Sequence, residues 1–414
     1  MIIMKKLHLI LLVCFVSANF FACKKEAVVN PVKTITLTEK AQTLVNSGNN
    51  FSFGLFKQII QADNGTANVM ISPLSVSFAL GMTYNGADGS TKTAMTNTLG
   101  FAGLTTDDIN KNYQYLMNAL MTVDNNVNMQ VANSLWYRNT FPVLQSFIDV
   151  NKQYFSAEVA ALDFTNPNSV NTINNWVSAK TNNKIPTIIE NIDANAVMFL
   201  INAIYFKATW KYKFEESATQ NAAFTLVDGT AINVPTMNMK ATLNYADLND
   251  FEAVEMVYGN GNYGMLVLLP HVDKNTNDVV NQLTVANLNN SLTTMTNQSI
   301  SIHFPKFKFS FDQELSKALT SLGMGIAFTD TANFNNIYNC NCLQISKVKH
   351  KTFIEVNEAG TEAAAVTSVE IIATSVGPGY DTKQVYINRP FIFIIRERET
   401  NAVLFIGKVI NPLI

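Results

Sequence analysis

The sequence is poor in the residues on which most enzyme and metal sites depend. Of its four histidines, only three follow the N-terminal apolar segment, at His271, His303 and His350. The motifs HExxH, GxSxG, GxxxxGK[ST] and CxxC are all absent. Their absence argues against the common zinc sites, the nucleophile elbow of serine hydrolases and the common nucleotide-binding loop. We therefore expect no catalytic residue, no metal and no cofactor. A hydrolase with an unrecognised fold stays an alternative, because a catalytic triad is defined by geometry and not by sequence order.

Charge is also sparse, and it is balanced. Charged residues make up 14% of the chain, the formal net charge is -2, and no long basic run occurs. Because nucleic-acid binding depends on basic residues that neutralise phosphates, we expect a protein or a small molecule as partner and no nucleic acid. A hydrophobic content of 48% is typical of a folded globule. The absence of repeats and of Gly/Ser-rich linkers after residue 40 favours one large domain.

Two histidines and two cysteines have simple structural interpretations. His303 alternates with apolar residues in SIHFPKF, which favours a hydrogen-bonded strand histidine over a general base, and His271 follows LLP as a loop residue. Cys340 and Cys342 are separated by one residue and match no metal-ligand spacing. We interpret them as free structural thiols.

The N-terminus has the pattern of an export signal. Lys5 and Lys6 precede LHLILLVCFVSANFFA, an apolar run too short to span a bilayer comfortably, so residues 1–22 are predicted to be a signal peptide. Cys23 follows Ala22 in a pattern that resembles the bacterial lipobox, and residues 23–37 would form a lipidated N-terminus and tether. We expect an outer-membrane or cell-surface lipoprotein, since each buried CH2 of an acyl chain contributes about 0.8 kcal/mol. The alternative is cleavage after Ala22 and secretion.

Hydrophobic periodicity predicts an α+β fold. Five apolar residues lie on one face of an early helix: Phe51, Leu55, Phe56, Ile59 and Ile60. Ser72 is a suitable N-cap for a second helix, in SPLSVSFALGMTYNG. Later segments are aromatic and β-branched, as strands are: AVMFLINAIYFKATW, FEAVEMVY, YGMLVLLP, SIHFPKFKFSF and FIFIIRE. Helices followed by strands indicate α+β rather than regular βαβ alternation.

The segment EAGTEAAAVT, residues 358–367, has a helical composition but lies between the strand-like runs KTFIEVN and QVYINRPFIFII. If a strand begins at Thr361 with its side chain inward, Glu362 and Glu370 both point outward. The inward set is then small or apolar: Thr361, Ala363, Ala365, Thr367, Val369 and Ile371. A slip of one residue would bury both carboxylates, which is costly. The β-branched residues in this stretch favour a strand over an Ala-rich helix.

EAGTEAAAVT resembles the reactive-centre-loop hinge of the serpin family, and NRPFIFIIRERETNAVLFIGKVINP resembles its C-terminal signature. Further similar segments follow in the family's order: NVMISPLSVSFALGMTYNGADGSTKTAM, FLINAIYFKATWKYKF, FPKFKFS and KHKTFIEVNEAGTE. The resemblance covers residues 38–414, which we assign to a serpin domain. It implies three β-sheets surrounded by helices, with an exposed reactive-centre loop at about residues 358–380.

The resemblance implies a suicide-substrate inhibitor. A target protease cleaves the loop, the N-terminal part of the loop enters the central sheet, and the protease is trapped as an acyl-enzyme in a covalent complex. We expect a monomer that acts on serine-type endopeptidases, with cysteine endopeptidases as a second class. The alternative within the family is a non-inhibitory serpin that serves as a binding or carrier protein.

The resemblance also implies roles for individual residues. The hinge consists of Glu358, Gly360, Thr361, Glu362, Ala363, Ala364 and Ala365. The shutter, a polar cluster beneath the central sheet, consists of Ser72, Pro73, Ser75, Asn202 and His350. Trp210 and Lys306 belong to the breach, where insertion starts, and Lys306 can pair with Glu358.

Counting along the loop places P1 at Thr374 and P1' at Ser375, with Ala373 and Val376 as neighbouring candidates. The loop is longer than is usual in the family, and the extra residues are assigned to VGPGYDTKQ, after the scissile bond. All the candidate residues are small, which favours the shallow S1 pocket of elastase-like or subtilisin-like proteases over a trypsin-like pocket. Lys383 lies too far along the chain to serve as P1.

Overall fold

A computed structural model describes residues 33–63, 65, 67–361 and 382–414. Most of the helices lie in the first half of this part of the chain. They are α1 (Glu39–Ala62), α2 (Pro73–Tyr84), α3 (Gly89–Leu99), α4 (Thr106–Thr122), α5 (Gln145–Phe155), α6 (Asn168–Lys180), α7 (Thr276–Gln282), α8 (Val285–Thr294) and α9 (Ser316–Leu319). Short 3-10 and π turns cover Glu216–Ala218 and Thr320–Phe328.

The strands form a larger and a smaller sheet. The larger sheet contains β1 (Val69–Ile71), β5 (Gln220–Thr225), β6 (Ala231–Asp247), β7 (Phe251–Tyr258), β8 (Tyr263–Pro270), β9 (Thr296–Pro305), β13 (Lys383–Tyr386), β14 (Phe391–Glu397) and β15 (Val403–Val409). Its order is β1-β15-β14-β8-β7-β6-β9-β13, with β5 beside β6. The long strand β6 pairs with β5 and β9 along most of its length and with β7 only at its end. It therefore joins two regions that count as separate sheets in the predicted three-sheet description.

The smaller sheet contains β2 (Val127–Arg138), β3 (Glu158–Leu162), β4 (Met198–Thr209), β10 (Phe307–Glu314), β11 (Lys349–Asn357) and β12 (Gly360–Thr361). Its order is β10-β11-β12-β4-β2-β3. The two-residue strand β12 is antiparallel to both of its neighbours, β11 and β4. We call this sheet the central sheet.

The predicted α+β fold is confirmed, and most of the predicted elements are present. The five apolar residues predicted on one face of the first helix are all buried in α1, and Ser72 is the N-cap of α2. Two predicted runs are each divided between strands, and one of them, QVYINRPFIFII, is divided between β13 and β14. SIHFPKFKFSF separates at Lys306 into β9 and β10, which lie in different sheets. Pro305 is the last residue of β9, and the backbone N–H of Lys306 still donates to the carbonyl oxygen of Pro235 on β6 at 2.9 Å before the chain enters β10.

The prediction of two free thiols is wrong, because Cys340 and Cys342 form a disulfide with a Cα–Cα distance of 5.1 Å. Asn341, between them, has a φ of +46°, and asparagine tolerates this left-handed conformation better than most residues. The turn brings the two Cα atoms within the usual disulfide range.

Both strand and loop histidines are hydrogen-bonded. His303 on β9 contacts Asn238 through Nδ1 at 2.5 Å and Gln384 through Nε2 at 3.1 Å. His271 follows β8, and its Nε2 lies 2.8 Å from the carbonyl oxygen of Leu248. The arrangement of His303 agrees with its interpretation as a hydrogen-bonded strand residue.

Candidate functional site: a strand position in the central sheet

A gap in the central sheet lies between β4 and β11. Among the described residues, these two strands are joined only through β12, at one end of the gap. Thr361 lies opposite Ala208 of β4 and Val356 of β11, and Gly360 lies opposite Thr209 and Asn357. Beneath β12, a cavity of about 700 Å³ is lined by both strands, by α2 and by the chain that follows α6. The cavity lies where a continuation of β12 would run.

The described part of the hinge is fixed in the sheet. A Cβ atom on Gly360 would lie 2.0 Å from the carbonyl oxygen of Ala208, so only glycine allows this close approach to β4. The side chain of Thr361 is buried, and its hydroxyl lies 2.5 Å from the hydroxyl of Tyr258. Tyr258 was not predicted as a site residue, since nothing in FEAVEMVY distinguishes it from a core aromatic residue.

Glu358, at the base of the hinge, is buried and multiply hydrogen-bonded. Lys306 Nζ lies 2.8 Å from Glu358 Oε2, and the hydroxyl of Thr219 donates to Oε1 at 2.7 Å. Burial alone would raise the pKa of Glu358, but the hydrogen bonds from Lys306 and Thr219 hold it below its usual value. The carboxylate therefore stays ionised and links β11 to the junction of β9 and β10.

Trp210, assigned to the breach, packs directly against the hinge. Its indole Nε1–H donates to the carbonyl oxygen of Asn357 at 2.9 Å, and its backbone N–H donates to that of Ala359 at 2.9 Å. The indole stacks on Tyr258, with ring centroids 4.3 Å apart. The stacked side chains of Trp210 and Tyr258 thus contact the chain at the beginning of β12.

The residues assigned to the shutter lie together where α2 begins beneath the central sheet. The backbone N–H of Ser72 donates to His350 Nε2 at 3.0 Å, and the hydroxyl of Ser75 donates to the carbonyl oxygen of Asn202 at 3.2 Å. Pro73 occupies the first turn of α2, where no N–H is needed. The N-terminus of α2 is thereby bonded to β11 through His350 and to β4 through Asn202. The start of α2 therefore connects the two strands that border the gap.

Two features of this cluster bear on a strand that enters the gap. Burial lowers the pKa of His350 to about 4, although Asp312 acts in the opposite direction, so the ring is neutral at pH 7 and its Nε2 is an acceptor. The amide of Asn202 donates to Asn133 Oδ1 at 2.7 Å, whereas Asn202 Oδ1 is buried and has no donor among the described residues. Asn133, on β2, is a further residue that sequence reasoning missed.

Several predicted site residues lie outside the described residues. They are Cys23, the hinge residues Glu362, Ala363, Ala364 and Ala365, and the predicted scissile pair Thr374 and Ser375. In the described part of the chain, no three His, Cys, Asp or Glu side chains lie close enough together to hold a metal ion. No helix in that part has both the length and the apolar character needed to cross a bilayer.

Comparison with known proteins agrees with this geometry. The family model described as serpin (serine protease inhibitor) matches residues 46–412. The chain belongs to the serpin family. An uncharacterized serpin-like protein of Methanosarcina mazei is 32% identical, with 99% of each chain covered.

Solved serpin structures are similar along almost their whole length. The thermophilic serpin tengpin in its native state has a TM-score of 0.82 and 34% identity, with 92% of this serpin and 97% of tengpin covered. Human thyroxine-binding globulin complexed with thyroxine has a TM-score of 0.83 and 28% identity, with 91% and 100% covered. Serpins are mostly protease inhibitors and not catalytic enzymes, so the family supports a function of the protease-inhibitor type with a protease as partner.

Proposed function

We propose that this serpin is a suicide-substrate inhibitor of serine-type endopeptidases, that it traps them as acyl-enzymes, and that it has no turnover of its own. The observation that carries the proposal is β12, which begins a strand between β4 and β11 and leads directly into the predicted reactive-centre loop. After cleavage, the loop would continue that strand along the gap. Its new backbone hydrogen bonds to both neighbours would provide the driving force.

The register of β12 supports insertion of the predicted segment. Each further residue of the loop would pair one residue earlier on both β4 and β11. Ala363 would then lie opposite Phe206 and Ile354, two buried residues that line the cavity. This is the face on which the sequence places only small or apolar residues.

The same register brings Thr367 opposite Asn202 and His350. A threonine hydroxyl at that position could donate a hydrogen bond to the buried Oδ1 of Asn202, which has no donor among the described residues. An unsatisfied buried acceptor costs about 1–3 kcal/mol, so insertion would remove that cost. The shutter residues thus offer an acceptor to the inserted strand, and they also join the existing strands β4 and β11 to α2.

We propose Thr374–Ser375 as the reactive bond and elastase-like or subtilisin-like proteases as targets, because every candidate P1 side chain is small. The test is a denaturing gel of the protein from Lys24 onward, incubated with each protease, together with the mass of the released peptide. A band near the summed masses and a peptide that begins at Ser375 are expected. Cleavage that leaves the protease active, with no covalent band for either class, would contradict the proposal.

A second candidate function is that of a binding or carrier protein. It is favoured by the similarity to thyroxine-binding globulin, a serpin whose structure contains thyroxine. Loop cleavage without a covalent product, by every protease tested, would favour this candidate over the inhibitory function.

We also propose that residues 1–22 are removed, that Cys23 carries the lipid anchor on the bacterial surface, and that the protein is a monomer. The support is the sequence pattern at Ala22–Cys23 and the polar tether that follows it. Secretion after cleavage at Ala22 is the alternative.

A further inference from the structure

The disulfide between Cys340 and Cys342 does not join two elements of the fold. It lies in the irregular chain between the turn that ends at Phe328 and the start of β11, and its closed loop contains only Cys340, Asn341 and Cys342. A disulfide stabilises a fold mainly by restricting the unfolded chain, and the restriction grows with the length of the closed loop. Because this loop is so short, stabilisation of the fold does not account for the disulfide.

The two cysteines differ in their access to solvent. Cys342 and Asn341 are exposed, whereas Cys340 is only partly exposed. Asn341 and Cys342 also line the cavity beneath the central sheet, which leaves space for a small molecule beside Cys342. Thiol–disulfide exchange requires that a thiolate reach one sulfur of the disulfide. The sulfur of Cys342 is therefore the one that an incoming thiolate can attack.

The backbone stabilises the departure of the other sulfur. The N–H of Cys342 donates a hydrogen bond to Cys340 Sγ at 3.2 Å. When the sulfur–sulfur bond breaks after attack at Cys342, Cys340 Sγ takes the electron pair and becomes a thiolate. A hydrogen bond to the charged form stabilises that thiolate, and a more stable leaving thiolate departs faster. The geometry thus favours attack at Cys342 with departure of Cys340.

Hydrogen bonds between two asparagines hold the turn independently of the sulfur–sulfur bond. The backbone N–H of Asn341 donates to Asn335 Oδ1 at 2.9 Å, and the side-chain amide of Asn335 donates to Asn341 Oδ1 at 2.7 Å. They support the φ of +46° at Asn341, which brings the Cα atoms of Cys340 and Cys342 to 5.1 Å. Two thiols in the reduced protein would therefore remain close enough to form the bond again.

We propose that the Cys340–Cys342 disulfide is a site of reversible thiol–disulfide exchange, which takes two electrons from a small dithiol or from two small monothiols. The first thiolate attacks Cys342 Sγ and forms a mixed disulfide, while Cys340 leaves as a thiolate. A second thiolate attacks the reagent's sulfur in the mixed disulfide, so that Cys342 leaves and the reagent departs as a disulfide. Both cysteine thiolates take up the protons that the reagent thiols lost. This inference is independent of the proposed inhibitory function.

Reduction under native conditions tests the proposal. The protein from Lys24 onward contains no cysteine other than Cys340 and Cys342. It is treated with dithiothreitol without denaturant, alkylated with N-ethylmaleimide and measured by mass spectrometry. We expect both cysteines to be alkylated, with an almost unchanged unfolding temperature, because the disulfide closes so short a loop. Alkylation that requires denaturant would overturn the proposal, and so would two free thiols in untreated, air-exposed protein.

Glutathione tests the direction of attack because it is a monothiol and leaves a mass label on the attacked cysteine. After brief exposure and trapping with excess N-ethylmaleimide, peptide masses should show glutathione on Cys342 and the maleimide on Cys340. Glutathione on Cys340 in an equal or larger amount would overturn the assignment of Cys340 as the leaving sulfur.

Asn335 is a positioning residue in this proposal, and its variant tests whether the turn favours re-oxidation. Asn335→Ala removes the hydrogen bonds to Asn341 and should slow re-oxidation of the reduced protein by oxidised glutathione about five- to tenfold. Asn339→Ala, at an exposed asparagine of the same chain segment, is the matched control and should re-oxidise at the wild-type rate. Equal rates for both variants would contradict the claim that the turn holds the two thiols together.

Discussion

Thr361 is the residue at which one substitution should separate cleavage from trapping. In the central sheet its side chain is 4% exposed, lies between Ala208 and Val356 and contacts the hydroxyl of Tyr258. An arginine at this position would have to bury a charge among apolar groups and one phenol. An unpaired buried charge costs about 3–5 kcal/mol. In the intact protein that cost should displace β12 from the sheet. Insertion would then have to begin by burying the arginine, and because 1.36 kcal/mol is a factor of ten in rate, it should slow at least about a hundredfold.

Thr361→Arg should therefore behave as a substrate. The acyl bond would hydrolyse before the strand enters, so a denaturing gel should show cleaved serpin, no covalent band and full recovery of protease activity. Thr361→Ser keeps the hydroxyl near Tyr258 and serves as the control, with trapping expected at close to the wild-type yield. An arginine variant that forms the covalent complex with wild-type stoichiometry would refute the argument that this side chain must occupy its buried position before the strand can extend.

Three further expectations concern other parts of the molecule. Native His350 keeps a pKa of about 4 and stays neutral, whereas the unfolded chain takes up a proton below about pH 6.5. The free energy of unfolding should thus fall by up to about 3 kcal/mol from pH 6.5 to 4, and His350→Gln, compared by denaturant titration, should lack this part of the decline. Lys306→Met leaves Glu358 buried without its cation and should lower the free energy of unfolding by about 1–3 kcal/mol; no loss would mean that the pair is dispensable. Cys23→Ser should release the protein from the membrane fraction, and retention there would contradict the lipid anchor.

Local signals in the sequence were sufficient for much of the fold. The five-residue apolar face of α1 and the N-cap at Ser72 depend on contacts within a few turns, so periodicity and capping rules identify them. FEAVEMVY and YGMLVLLP match β7 and β8 residue for residue for the same reason. Resemblance to the family then indicated which polar residues lie beneath the central sheet.

Contacts between distant residues were the part that sequence could not supply. Tyr258 meets Thr361 across 103 positions, and Thr219 meets Glu358 across 139. Neither partner has a local pattern that marks it. The disulfide between Cys340 and Cys342 depends on the left-handed backbone at Asn341, which spacing alone does not reveal. The division of SIHFPKFKFSF at Lys306 likewise follows from the packing of two sheets and not from its uniform strand-like composition.

The central claim is that β12 is the first part of a strand that the cut loop completes. The most direct test is to cleave the loop of the purified protein with a protease and compare its thermal unfolding with that of the intact protein. A complete strand between β4 and β11 would add backbone hydrogen bonds on both sides, each with a net contribution of about 1 kcal/mol. We expect the unfolding temperature to rise by about 10 °C or more. An unchanged or lower temperature after complete cleavage would contradict insertion.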